Sequence, residues 1–313
     1  MKRKTDNFNK FYNKKRNSAV KEQFKQEKKT AKRERKEAIE RHFEEKRKMR
    51  GQQPGAATQP SRPETNGDPK KSDLIPLNKY IAHSGVCSRR DAAELVKQGK
   101  ITVNDKIVTE PGTKVSPRDL VKMAGKKVTI SRNFVYILLN KPKDYITTTD
   151  DPQGRKTVLQ LIRHASSERV YPVGRLDRNT SGVLLLTNDG DLAQKLAHPK
   201  HEIKKIYHVS LDKILSKAHF DQIIAGVQLE DGLAGVDALA YADAKDKSQV
   251  GLEIHSGKNR IVRRIFEQLG YDVKNLDRVM YAGLTKKNVQ RGKWRLLSEK
   301  EIRILKYLNS SIK

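Results

Sequence analysis

The chain has 313 residues, room for about two domains of ordinary size, and carries 66 Lys+Arg against 37 Asp+Glu, a formal net charge of +29. No run of 18 or more apolar residues occurs and the basic start MKRKTDNFNK leads into more charge, so neither a membrane span nor a secretory signal is expected, and the chain reads as soluble and cytoplasmic. The single cysteine, Cys87, excludes an internal disulfide framework and a thiolate metal cage, and reads as a small packing residue rather than a nucleophile.

Residues 1–72 hold 23 Lys+Arg and 10 Asp+Glu, a net charge of +13, and residues 73–313 carry the remaining +16. The stretch KEQFKQEKKTAKRERKEAIERHFEEKRKMR has too little apolar surface to offset chain entropy, and GQQPGAATQPSRPETNGDPKKS after it is a Pro/Gly/Gln linker. Residues 1–72 are therefore expected to be a disordered basic tail and linker, with a transient solvated helix around 20–48. Such a tail serves solubility or acts as an electrostatic arm for a polyanion, and the shared sign of both parts favours the arm.

A small module is expected over 73–131. Leu77, Tyr80 and Ile81 fall at helical spacing up to Gly85, and Ser88 with Asp91 forms a capping-box signature for a second helix that carries Arg89 and Arg90 in its first turn and stops at Gly99. Ile101, Val103, Ile107 and Val108 flank an Asn104-Asp105 turn, the pattern of a hairpin. Two arginines at a helix start oppose the helix dipole, which an anion such as phosphate would offset.

A larger domain is expected over 132–313. Val135–Leu139 reads as a buried strand stopped at Asn140-Lys141-Pro142, and Thr157, Val158, Leu159, Leu161 and Ile162 as a helix. Val183–Leu186 reads as a second buried strand, Asn188-Asp189-Gly190 as a turn, and Asp191 as the cap of a helix that Pro199 ends. Ahead of that strand Asp177 stands between Arg175 and Arg178. It is either an ordinary loop carboxylate in an ion pair or one kept ionised for use as nucleophile or base. No second carboxylate stands in a similar frame, so paired acid and base hydrolysis gains no support.

Lys204 to Val209 alternates as a strand, with Tyr207 beside Lys205 as half-buried packing or as a platform for a nucleobase. His198 and His201 have the spacing of a helical metal pair, but Pro199 lies between them and no third ligand is placed, so a metal is not expected. Arg260 to Leu269 reads as a helix opening just after Lys258. Its apolar face is Ile261, Val262, Ile265, Phe266 and Leu269, and Arg260, Arg263 and Arg264 are expected to point outward, ready for phosphates or for a catalytic carboxylate.

The string LNKYIAHSGVCSRRDAAELVKQGKITVNDKIV resembles the RNA-binding domain of the ribosomal-protein S-four type, which implies RNA-facing positions at Lys79, Ser88, Arg89, Arg90 and Lys97. Farther on, NKPKDYITTTDDPQGRKTV, GRLDRNTSGVLLLTNDG, KKIYHVSL, SGKNRIVRRIFEQLGY and GKWRLL, in that order, resemble the RsuA/RluB family of ribosomal-RNA pseudouridine synthases over about residues 74–300. The resemblance implies an α+β fold: the small S-four-type module, then a catalytic domain with a mixed, largely antiparallel sheet and a central cleft.

It further implies isomerisation of uridine to pseudouridine without any cofactor. Asp177 matches the catalytic carboxylate, Arg263 the arginine that pairs with it and orders it, and Tyr207 the aromatic residue that contacts the base. Further RNA contacts are expected from Arg175, Arg178, Lys205, Lys258, Arg260 and Arg264. The implied partner is ribosomal RNA, met by a monomer. GDLAQKLAHPKHEIKKIYHV is closer to the large-subunit branch, which favours 23S RNA or its precursor; 16S RNA, or a non-catalytic role in ribosome assembly, are the alternatives. Two departures stand out: Ala282-Gly283-Leu284 where many relatives have Gly-Pro-Leu, and Asp144 near where a glycine is usual after Asn-Lys-Pro.

Overall fold

A computed structural model describes residues 74–131 and 133–307, together with Thr30, Arg33, Glu34, Glu37, Glu40 and Arg41. The chain divides into two units, 1–66 and 67–313. In the first, the six described residues are helical, and Arg33 and Glu37 form an i,i+4 ion pair at 3.1 Å. The disordered tail expected over 1–72 otherwise lies outside the described residues. No helix among the described residues is long and apolar enough to cross a membrane.

The second unit begins with the small module. Its elements are β1 (Ile75–Pro76), α1 (Leu77–His83), α2 (Arg89–Lys97), β2 (Ile101–Val103), β3 (Lys106–Ile107), β4 (Lys114–Val115), β5 (Val121–Met123) and β6 (Lys126–Lys127). α2 starts on a full capping box: the Ser88 hydroxyl accepts from the Asp91 N–H at 3.2 Å, and the Asp91 carboxylate accepts from the Ser88 N–H at 3.2 Å. The β2–β3 hairpin turns through Asn104 and Asp105, both with positive φ (51° and 62°), the conformation for which Asn and Asp are tolerated. Leu77, Tyr80, Ile81, Ala92, Val96 and Ile101 close the core of the module.

The larger domain is built on β7 (Tyr136–Lys141), α3 (Val158–Leu161), β8 (Tyr171–Pro172), β9 (Ser181–Thr187), α4 (Gly190–Ala197), β10 (Lys205–Leu211) and α5 (Lys217–Ala225). It continues through β11 (Val227–Leu229), β12 (Gly232–Ala234), β13 (Ala238–Tyr241), β14 (Gln249–Ile254), α6 (Ile261–Gln268), β15 (Val273–Tyr281), β16 (Leu284–Thr285), β17 (Trp294–Leu296) and α7 (Glu299–Tyr307). Nine strands form one sheet in the order β13-β14-β10-β15-β9-β7-β17, with β16 added beside β15 and β8 beside β9. Its pairs are antiparallel except β9 with β15.

Every residue of β7 and β9 is buried. Ile137, Leu139, Leu184 and Leu186 enter one core, and Tyr136, Leu138, Val183 and Leu185 enter the other. That is why these strands read as unbroken apolar runs: both faces of the sheet are covered. The parallel contact places Gly182 against Arg278. Gly182 has φ +112°, and a Cβ there would stand 2.2 Å from the Arg278 carbonyl oxygen, so this approach of the two strands requires glycine.

Local readings need three adjustments. The cap of α4 is Asp189, not Asp191: its carboxylate accepts from the Leu192 N–H at 3.0 Å and from the Tyr136 hydroxyl at 2.8 Å. The helix begins at Gly190, inside the expected turn, and Asp191 instead reaches back to the small module, ion-paired with Lys79 at 2.6 Å. The strand expected from Val135 starts at Tyr136, includes Asn140 and Lys141, and ends before Pro142, the residue expected to stop it. Asp144 and Ala282, the two expected departures, both take positive φ (68° and 52°), a conformation that glycine adopts without the steric cost of a Cβ.

Candidate active site

The Asp177 loop, which leads into β9, is clamped by its backbone. Lys141 is fully buried, and its ammonium donates to the carbonyls of Pro142 (3.1 Å), Asp177 (3.0 Å), Arg178 (3.3 Å) and Thr180 (2.8 Å). Burial pushes its pKa down to about 8, against the opposing pull of Asp177 and Asp144. The Leu176 carbonyl accepts from the Thr147 hydroxyl at 2.7 Å. A loop whose carbonyls are held this way presents its one carboxylate in a fixed place.

Asp177 opens onto a cleft of about 640 Å³ that is also lined by Arg175, Arg178, Lys205, Tyr207, Lys258, Arg260 and Arg278. Among the described residues no side chain hydrogen-bonds its carboxylate. The flanking arginines do not clasp it: Arg178 pairs with Asp144 at 3.2 Å, and Arg175 is exposed. Lys141 and Arg263 feel its charge, but Arg263, expected to pair with it, donates to backbone carbonyls instead.

Arg263 was expected on the outward face of its helix and is instead buried, 8% exposed. It lies at the edge of the apolar face of α6, close enough to donate to the Val273 carbonyl at 2.8 Å and the Asn179 carbonyl at 3.2 Å, and these bonds compensate its desolvation. Burial lowers its pKa and Arg260 lowers it further, while Asp177 raises it. Through Asn179 it becomes a second clamp on the Asp177 loop.

Tyr207 is 8% exposed on β10, packed into the core and forming one wall of the cleft. Lys205, two residues earlier, donates to the carbonyls of Ile203 and His255, and burial followed by the charge of Arg278 pushes it down to about 8. Arg264 is absent from the cleft lining; it grips Asp231 with both terminal nitrogens, and Lys258 joins them at 3.6 Å. Arg260 pairs with Glu267 at 3.2 Å. The outward arginines thus have acidic partners, and Asp231 escaped the sequence reading because it lies 33 positions from Arg264.

The five positions inferred for the small module divide. Lys79, Ser88 and Arg89 line a second cavity of about 370 Å³ between the module and the larger domain, together with Arg169. Arg90 and Lys97 are exposed outside that cavity, with Lys97 paired to Glu94 at 2.9 Å. Ser88 is committed to its cap and Lys79 to Asp191. His198 and His201 meet edge to face with ring centroids 6.0 Å apart, and among the described residues no group of three or more His, Cys, Asp or Glu is placed to hold a metal.

Sequence reasoning missed Lys141 and Arg278. A lysine directly after the apolar run of β7 was the available signal for the first; Arg278 carried none.

Residues 75–121 match the S4 domain family and residues 135–268 the RNA pseudouridylate synthase family. A Bacillus subtilis protein named ribosomal large subunit pseudouridine synthase B is 43% identical over 235 residues, 74% of this chain and 96% of that protein. An Escherichia coli O6:H1 protein, the dual-specificity RNA pseudouridine synthase RluF, is 35% identical over 236 residues, covering 73% and 77%. A crystal structure of pseudouridylate synthase aligns with a TM-score of 0.54 at 26% identity, over 74% of this chain and 99% of that one.

Proposed function

The chain belongs to the RNA pseudouridine synthase family, and from that premise we propose that it converts uridine to pseudouridine in large-subunit ribosomal RNA, with Asp177 as the reacting carboxylate. The observation that carries this reading is that Asp177 and Tyr207 line a single cleft, with Arg263 behind it holding the Asp177 loop by the Asn179 carbonyl. The Bacillus subtilis relative, named for the large ribosomal subunit, supports the choice of RNA. The enzyme works as a cytoplasmic monomer on the large-subunit RNA or its precursor.

The isomerisation breaks the C1′–N1 bond, turns the base and joins C5 to C1′; the C5 proton leaves and N1 gains one. As the electron pair departs with the base, Asp177 meets the electron deficiency on the ribose, as nucleophile at C1′ or as base toward the neighbouring C2′–H. Lys141 and Arg263 fix the loop carbonyls so that the carboxylate needs no rearrangement when charge develops. Tyr207 stacks on the base. Extruding the uridine costs a few kcal/mol, offset by that stacking and by phosphate contacts from Arg175, Arg178, Lys205, Lys258 and Arg260 at the cleft, from Arg264 beyond its rim, and from Lys79, Ser88, Arg89, Arg90 and Lys97 on the module.

Because C5 loses its hydrogen, RNA carrying tritium at uridine C5 releases it on turnover. Release from a large-subunit transcript and not from a small-subunit one is the expected result. Release from the small-subunit transcript alone would move the substrate to 16S RNA, and binding without release from either would make the protein a non-catalytic RNA-binding factor.

A further inference from the structure

Arg278 lies on β15 with 3% of its surface exposed. Its direct cross-strand partner on β10 is Tyr207, and its parallel partner on β9 is Gly182. Side chains directly opposite on antiparallel strands share a face, with Cβ atoms about 5 Å apart. Arg278 and Tyr207 therefore leave the sheet on the same face, and both line the cleft that holds Asp177. Nε donates to the Val183 carbonyl at 2.8 Å, and the guanidinium carbon stands 4.5 Å from the centroid of the Tyr281 ring, which together fix the plane of the group.

Beyond that one bond the cation is unspent. Nη2 is buried and finds no acceptor, and among the described residues no carboxylate pairs with Arg278. Two of the other buried side-chain atoms without a partner, Thr180 Oγ1 and Arg263 Nε, belong to residues that form or clamp the Asp177 loop. Lys205 stands in the same cleft and feels the Arg278 charge. Buried polar groups without partners are rare, and a buried cation without one is costlier still, so this grouping calls for a ligand that brings oxygen acceptors and negative charge.

We propose that Arg278 is a further catalytic residue, whose terminal N–H groups hold a carbonyl oxygen of the uracil and bear the negative charge on the base once the C1′–N1 bond has broken. The proposal rests on the pseudouridine synthase reading above. Heterolysis leaves the electron pair on N1, spread to O2 and O4; Arg278 donates hydrogen bonds to one of these oxygens and transfers no proton. The charge is discharged when C5 bonds to C1′, C5 gives its proton to solvent and N1 takes one up. A phosphate is a poorer fit, because the exposed Arg175, Arg178, Lys258 and Arg260 meet the backbone in the open parts of the cleft, whereas Arg278 is buried, directly across the strand pair from Tyr207.

The test compares single-turnover rates of Arg278→Gln and Arg278→Lys with those of the unaltered enzyme, on target RNA carrying uridine or 5-fluorouridine, read as loss of the original N-glycosidic nucleoside. Fluorine at C5 makes the departing uracil anion more stable and therefore less dependent on an anion-binding residue. Arg278→Gln is expected to slow the uridine reaction by about 100-fold or more, the scale of losing one oxyanion donor, with RNA affinity within about threefold and a defect at least about fivefold smaller on 5-fluorouridine. Arg278→Lys keeps the charge, should fall between the other two, and shows the same dependence on fluorine if the Gln variant does not fold.

Equal loss on both substrates in the Lys variant, or in both variants, overturns the proposal in favour of a structural role. A loss of affinity with unchanged rate at saturation overturns it in favour of a phosphate contact. An unaltered protein that turns over neither RNA instead refutes the synthase reading itself.

Discussion

Asp277 and Arg278 are neighbours on β15, yet they sit in opposite electrostatic settings. The Asp277 carboxylate accepts from the Ser181 hydroxyl at 3.2 Å, from Arg291 at 3.0 and 3.1 Å, and from Lys286. Burial pushes its pKa up, but the Arg291 and Lys286 hydrogen bonds prevail and hold it at about 2. Arg278, turned to the other face as strand alternation requires, has one backbone acceptor, and Asp177 across the cleft has no side-chain hydrogen bond among the described residues. The contrast separates two uses of buried charge. At Asp277, where charge holds the sheet together, each oxygen has a partner; at Asp177 and Arg278 partners are left open, as their proposed roles toward the RNA require.

The same chemical change at the two aspartates should therefore give opposite phenotypes. Asp177→Asn is expected to lower single-turnover pseudouridine formation on the order of 10⁴-fold or more, while the melting temperature and RNA affinity stay near those of the unaltered protein. Calorimetry together with a filter-binding assay checks both halves, and lost stability would return Asp177 to the structural class.

Gly182→Ala attacks the seam between the two settings. The new Cβ would press on the Arg278 backbone at 2.2 Å, at a φ of +112° that an L side chain rarely adopts. A destabilisation on the order of 4 kcal/mol is expected, seen as poor soluble yield or a large drop in the denaturant midpoint. A variant as stable as its parent would mean that β9 and β15 do not meet here.

Asp277→Asn should cost about 3 kcal/mol of stability, because Lys286 and Arg291 lose their anion, and should leave the rate of the folded enzyme near normal. Its pH dependence has a definite sign. The folded-state pKa of about 2 lies below the ordinary aspartate value near 4, so the advantage of the unaltered protein is full above about pH 4 and disappears as the pH falls through about 2. Parallel unfolding curves over that range would contradict the assignment.

The smallest effect on chemistry is expected from the basic arm, which carries a net charge of +13 over residues 1–72. Deleting it should leave the single-turnover rate at saturating protein unchanged, weaken RNA binding, and flatten the slope of log affinity against log salt. An unchanged salt slope would exclude the arm from RNA contact.

What could be read from the sequence follows from how local each signal is. The capping box at Ser88, the Asn104-Asp105 hairpin and the apolar runs of β7 and β9 are set by neighbours within a few residues, and each stands where its pattern placed it. Asp177 and Tyr207 were legible as candidates through family strings. What escaped depends on distant contacts: Lys141 is bound by carbonyls up to 39 positions away, and Arg278 by the Val183 carbonyl 95 positions away. Arg263 was assigned to a solvent-facing stripe because helical periodicity cannot reveal that the Asn179 and Val273 carbonyls stand ready to accept its guanidinium. The residues that tune the site are thus the least visible in sequence, since their partners come from separate strands.

The central claim, that the Asp177 cleft modifies large-subunit RNA, is tested most directly by mapping pseudouridines in 23S and 16S RNA from cells lacking this gene, complemented with the unaltered protein or with Asp177→Asn. The account predicts loss of pseudouridine in 23S RNA alone, restored by the unaltered chain and not by the Asn variant expressed at the same level. A complete pseudouridine map in the deleted strain, or restoration by Asp177→Asn, would contradict it.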